Sequence, residues 1–155
     1  MSDVLLLVPP DRQITDAIAT ALDLAASRRA GLIAVVVIDA DASVRLASRM
    51  IDVGLLPEKV TDQFSETLAR EHQIRAEALL GEIRERAEAR DIACQTAIET
   101  GDPGEICRRT VASADVAIAV LVAEKRSWIG RFLARGQPLR PPDLGGCEVL
   151  VVDED

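Results

Sequence analysis

"LIAVVVID", residues 32–39, is the stretch whose reading decides the fold. Seven consecutive apolar residues precede Asp39, five of them β-branched. A half-exposed strand would alternate apolar with polar residues, and a surface helix would show a polar face; this run does neither. It is also only as long as a strand. Such a segment reads as a strand buried on both faces, the kind found in parallel sheets covered by helices on each side. Upstream, Ile14, Ala17, Ile18, Ala21, Leu22 and Ala25 recur at helical spacing, with Asp16, Asp23, Arg28 and Arg29 on other faces. Gly31 is the expected end of that helix. Before it, "DVLLLV" (3–8), closed by Pro9-Pro10-Asp11, reads as a first buried strand and its turn.

Downstream the alternation continues. "ASVRLASRMIDVGLLP" (42–57) is amphipathic and reads as a helix stopped by Gly54 and Pro57. Residues 58 to about 90 form a second helical pattern: Val60, Phe64 and Leu68 share one stripe, and Leu79, Leu80, Ile83 and Ala87 continue an apolar face. Glu66–Arg70, Glu71–Arg75 and Glu82–Arg86 are acid-before-base pairs at i,i+4, and Gly81 is a candidate bend. "IACQTAIE" (92–99) alternates, predicting a strand with one less buried face. "GDPGEICRRTVASAD" (101–115) carries a written-out helix start, with Asp102 as N-cap, Pro103 at the first helical position and Glu105 at the third. "VAIAVLVA" (116–123) and "CEVLVVDE" (147–154) are the last two strands. The predicted architecture is one α/β domain over residues 1–155, a doubly wound five-stranded parallel sheet with helices on both faces and right-handed crossovers.

Composition narrows the function classes. A chain of 155 residues with 48% apolar and 28% charged residues is a soluble globular balance. Its net charge of −8 argues against nucleic acid and against an anionic membrane surface as the main partner. No apolar run approaches the roughly 18–20 residues of a membrane span, and the N-terminus shows no signal-peptide pattern. Cys94, Cys107 and Cys147 are too few and too widely spaced for a disulfide framework or a zinc site, which suits a reducing cytoplasm. His72, the one histidine, lies in a charged helical segment and reads as a packing or surface residue.

The order of these elements resembles the universal stress protein family. The likeness rests on "VLLLVP" and its helix, "GLIAVVVID", a long charged helix, "ETGDPGEI", "ADVAIAV" and the closing "CEVLVV". Gly101-Asp102-Pro103 matches a turn of that family, and Glu148 stands where a proline is commoner. The resemblance implies an adenine nucleotide alpha hydrolase-like fold with strand order 3-2-1-4-5. It further implies a cytoplasmic homodimer paired through its last strand, here Cys147, Glu148, Val149, Leu150, Val151 and Val152; separately, the unpaired edge of this short β-branched strand predicts a dimer in which Val149 and Val151 meet their symmetry mates. Such proteins act in stress survival or regulation through protein partners, without a defined reaction.

The resemblance also implies a test for ATP. Nucleotide-binding members carry an Asp at the end of the first strand and a G-x2-G-x9-G-[ST] loop after the fourth, because glycines let backbone N–H groups approach phosphate oxygens. Here Pro9 takes the Asp position, Asp11 follows two residues late, and no placement in the chain satisfies the loop. Ala123, Glu124 and Lys125 fill the turn instead. If ATP or AMP bound at all, the contributing positions would be Pro9, Asp11, Val37, Asp39, Gly101, Lys125, Arg126, Gly130, Arg131 and Gly136. Lys125, Arg126, Arg131, Arg135 and Arg140 form a basic cluster that offers side-chain charge to a phosphate. The preferred alternative is that Trp128, Ile129, Phe132 and Leu133 pack a short helix whose solvated face carries those arginines. No motif pairs titratable residues for catalysis. The expectation is a non-enzymatic binding protein with no cofactor and no metal.

Overall fold

The computed structural model describes residues 2–10, 14–38, 54, 61–122 and 147–152, with 61–65 as helical backbone only. An interior strand of its sheet is β2 (Leu32–Ile38), in which all seven residues are buried. That strand is flanked by β1 (Asp3–Val8) and β3 (Cys94–Thr100), while β4 (Val116–Val122) and β5 (Glu148–Val152) extend the sheet beyond β1. All pairings are parallel and the order is β3-β2-β1-β4-β5, as the resemblance implied. Val8 lies beside Val36, Leu7 beside Leu121, and Val122 beside Val152, so the strands end almost level at their carboxyl edge.

Helices α1 (Thr15–Arg28) and α2 (Thr61–Ala89) cover one face, and α3 (Pro103–Ser113) covers the other. This follows from chain direction. The path β1–β2–β3 steps one way across the sheet, and the return from β3 to β4 steps the other way. Right-handed crossovers therefore put α3 on the opposite face. On the first face Ala17, Ile18, Ala21, Leu22 and Ala25 of α1 and Ala76, Leu80, Ile83 and Ala87 of α2 meet Val4, Leu6, Ala34, Val36 and Val120. On the second, Ile106 and Cys107 meet Leu5, Leu7, Val35, Ala119 and Val149. With aromatics only 2% of the chain, branched aliphatics fill both cores, and each fully buried Val, Leu or Ile contributes roughly 1.5–3 kcal/mol.

Two readings of glycine change. Helix α1 ends not at Gly31 but at Arg29, which takes the left-handed conformation (φ 53°) while Ala30 N–H bonds Ala25 O at 2.9 Å. Gly31 serves close approach instead: a Cβ there would lie 3.0 Å from Asp3 Oδ1 and 3.3 Å from Ala93 O. Its N–H donates to Asp3 Oδ1 at 3.1 Å, tying the amino end of β1 to that of β2. Gly81 does not interrupt α2, which is assigned as one unbroken helix from Thr61 to Ala89. At about 1.5 Å per residue α2 is about 43 Å long, against about 23 Å for a seven-residue strand. The helix therefore outruns the sheet. The proposed 42–57 helix lies outside the described residues.

Candidate functional site

In a doubly wound sheet the crevice for ligands opens at the carboxyl edge, where neighbouring strands send their connections in opposite directions. Here that point lies between β1 and β4. Val8, Pro9 and Pro10 form one side and Val122 the other; Ile38 and Gly101 lie further along the same edge.

Among the described residues, several backbone groups of this edge offer no free donor. Pro9 has no N–H to offer. Gly101 N–H bonds Ile38 O at 3.0 Å, clamping the ends of β2 and β3, and its φ of +152° is a conformation that suits glycine. Val37 is 5% exposed, with its side chain in the α3-side core. At the start of α3, Asp102 is the N-cap the sequence predicts: its Oδ2 accepts from Glu105 N–H at 3.0 Å. Ile106 N–H bonds Asp102 O, and Pro103 has no N–H. The Asp102 carboxylate thus closes the first turn, in which Gly104 is buried.

An open depression of about 610 Å³ lies beside this turn, lined by Thr100, Gly101, Asp102, Glu105, Arg108 and Arg109. Its two arginines are already matched to carboxylates: Arg108 to Glu105 at 3.7 Å and Arg109 to Glu99 at 3.2 Å. The depression is charge-balanced and presents no net positive site for an anion. Among the described residues no group of three or more His, Cys, Asp or Glu side chains is placed to hold a metal ion.

Of the positions singled out in the sequence, Pro9, Val37 and Gly101 lie on the described carboxyl edge. Asp11, Asp39, Lys125, Arg126, Gly130, Arg131 and Gly136 lie outside the described residues, as do Glu124 and the Trp128–Leu133 stripe. His72 is half-buried on α2, and its Nδ1 is buried without a hydrogen-bond partner among the described residues. Burial disfavours ionisation of all three thiols. Desolvation pushes Cys107 up to about 12, and it raises Cys147 and Cys94 as well.

The two edges of the sheet differ. On β3, Arg84 Nη2 from α2 bonds Thr96 Oγ1 on one face, and Arg109 from α3 pairs with Glu99 on the other. Long charged side chains lying over an edge strand discourage another strand from joining it. On β5, Val149 and Val151 are 0% and 2% exposed and Cys147 is 5% exposed. The side chains of Val149 and Val151, the residues expected to meet their symmetry mates, belong to the α3-side core of their own chain. The half-buried side chains of β5 are Glu148, Leu150 and Val152, facing the α1 side. Glu148 is held there by Arg28 at 3.5 Å. The sequence carried no local signal for either contact, since the partners come from elements 12 to 120 residues apart.

The parallel sheet, its strand order and its helices match the adenine nucleotide alpha hydrolase-like α/β fold. Within it, the model of the universal stress protein family matches residues 3–137, most of the chain. The chain belongs to the universal stress protein family. Solved structures agree on the fold. A universal stress protein family member from Burkholderia pseudomallei is 20% identical over 95% of this chain and 93% of its own, with a TM-score of 0.63. UspA from Lactobacillus plantarum is 18% identical, covering 97% and 98%, with a TM-score of 0.58. A universal stress protein solved in complex with cAMP is 16% identical over the whole of both chains, with a TM-score of 0.52. No curated protein matches the chain at a significant level. Among the described residues no helix is long and apolar enough to cross a membrane.

Proposed function

We propose that this chain is a non-enzymatic universal stress protein that works in the cytoplasm as a homodimer, through protein partners and without bound ATP. The observation that carries the reading is the state of the carboxyl edge. Pro9 lacks both the N–H and the carboxylate of a nucleotide-binding end, Gly101 N–H is committed to Ile38, and the α3 N-terminus is closed by Asp102. Among the described residues, a phosphate reaching the start of α3 meets a capped turn and a charge-balanced depression. The homodimer is supported by the contrast between a charge-covered β3 edge and a β5 edge bearing Leu150 and Val152.

A second reading is a nucleotide sensor that holds phosphate through Lys125, Arg126 and Arg131. The cAMP carried by one structural relative is the observation in its favour. Calorimetric titration with ATP, AMP and cAMP, each with and without Mg²⁺, separates the two. The first reading expects no saturable heat; saturation at micromolar ligand would replace it with the second.

A further inference from the structure

Resting on the reading that the chain acts through protein partners, we propose that the β3 edge admits one kind of segment. That segment is an extended strand of another protein carrying two acidic side chains three positions apart. β3 is the outer strand of the sheet, and β2 pairs with its seven residues along one side. Its other side has no strand beside it among the described residues. A strand added there gains main-chain hydrogen bonds, and its side chains fall alternately on the two faces of the sheet. Each face holds an arginine. Arg84 of α2 bonds Thr96 Oγ1 on one, and Arg109 of α3 lies 3.2 Å from Glu99 on the other. Thr96 and Glu99 are an odd number of positions apart, so they point to opposite faces. Residues beside them on an added strand, whichever way it runs, have the same spacing and the same opposition of faces.

Charge decides what lies beside these two residues. Among the described residues Arg84 bonds a neutral hydroxyl, not a carboxylate. A charge-assisted bond to a carboxylate is roughly twice as strong as a neutral one, so an acid beside Thr96 takes the guanidinium over. Arg109 is largely exposed and also lines the open depression next to Thr100, so it can turn toward a second acid without disturbing the core. Its planar fork carries several N–H donors and can serve Glu99 and the incoming carboxylate together. A strand with neutral side chains at these positions has to displace both arginines for nothing in return, and a basic one is repelled. The net charge of −8 opposes an acidic partner at a distance. That repulsion is screened beyond about 8–10 Å at physiological salt, whereas a guanidinium–carboxylate bond forms at about 2.7–2.9 Å. The same two arginines therefore close this edge to most strands and open it to an acidic one.

The test uses a fluorescein-labelled peptide of threonine and valine with glutamate at its third and sixth positions. One control peptide has lysine in place of both glutamates, and another carries the glutamates at its third and fifth positions, on one face. Fluorescence anisotropy should show saturable binding of the first peptide, about tenfold tighter than of either control. Hydrogen exchange in the complex should slow within Cys94–Thr100. Arg84→Glu with Arg109→Glu should reverse the preference, so that the lysine peptide binds more tightly, with circular dichroism confirming the fold. The comparison of peptides on the parent protein stands whether or not that variant folds. Equal binding of the three peptides, no saturation with the first, or slowed exchange confined to other segments would overturn this inference alone. Saturable heat with a nucleotide would instead remove the reading on which it rests.

Discussion

Arg109 on α3 reaches across to Glu99 on β3 at 3.2 Å, while Arg84 on α2 bonds Thr96, three positions before Glu99 on the same strand. The pair is exposed, 65% for Arg109 and 43% for Glu99, so its contribution to stability is small, about 0.2–1 kcal/mol before screening. Its consequence is for association. Arg84→Ala with Arg109→Ala should leave the urea midpoint nearly unchanged but let the β3 edge self-associate. Light scattering should show larger species for the double variant at concentrations where the parent shows none. An unchanged size distribution would mean that β3 needs no such cover.

Two glycines should respond oppositely to alanine. Gly31→Ala meets Ala93 O at 3.3 Å, a backbone atom that cannot swing away, and crowds Asp3 Oδ1 at 3.0 Å. A loss of about 1–3 kcal/mol is expected from such overpacking. Gly81→Ala enters open space on the exposed side of α2 and should gain about 0.5–1 kcal/mol from helix propensity. Urea denaturation of the two variants checks both signs.

Asp102→Ala removes the acceptor of Glu105 N–H and should cost about 0.5–2 kcal/mol, whereas Asp102→Asn keeps an acceptor and should cost far less. This position was fully legible in the sequence, because capping is local chemistry written in adjacent residues. The strand order came from the family resemblance, whereas the burial of β2 on both faces was legible in its residues. The run from Leu32 to Ile38 has no polar residue, so its strand had to lie between covered neighbours. Gly31 was misread because a glycine after a helix is ordinarily its cap; here Arg29 caps, and the need for Gly31 comes from Asp3 and Ala93, residues distant in sequence. The burial of Val149 and Val151 was hidden likewise: alternation reveals which residues share a face of β5, and not which face the chain itself covers.

Alkaline pH offers a separate check. Burial raises Cys107 from 9.0 to about 12. Below pH 9 the thiol is protonated in both folded and unfolded chains and the group has no effect. Between about 9 and 12 the unfolded chain releases this proton and the folded chain keeps it, so stability falls as pH rises, by up to about 1.4 kcal/mol per pH unit. Cys107→Ala should flatten the stability profile above pH 9 while lowering stability at neutral pH through the lost packing. The chain has no tyrosine to obscure the titration. An equally steep alkaline profile in the variant would assign the loss to other groups.

The central claim is that the chain works without nucleotide, and the nucleotide content of the purified protein tests it most directly. With one tryptophan and no tyrosine the protein absorbs weakly at 280 nm, so bound adenine would dominate the ultraviolet spectrum. Acid denaturation followed by chromatography of the supernatant should release no ATP, AMP or cyclic nucleotide. Release of any of these in proportion to the protein chain would contradict the account.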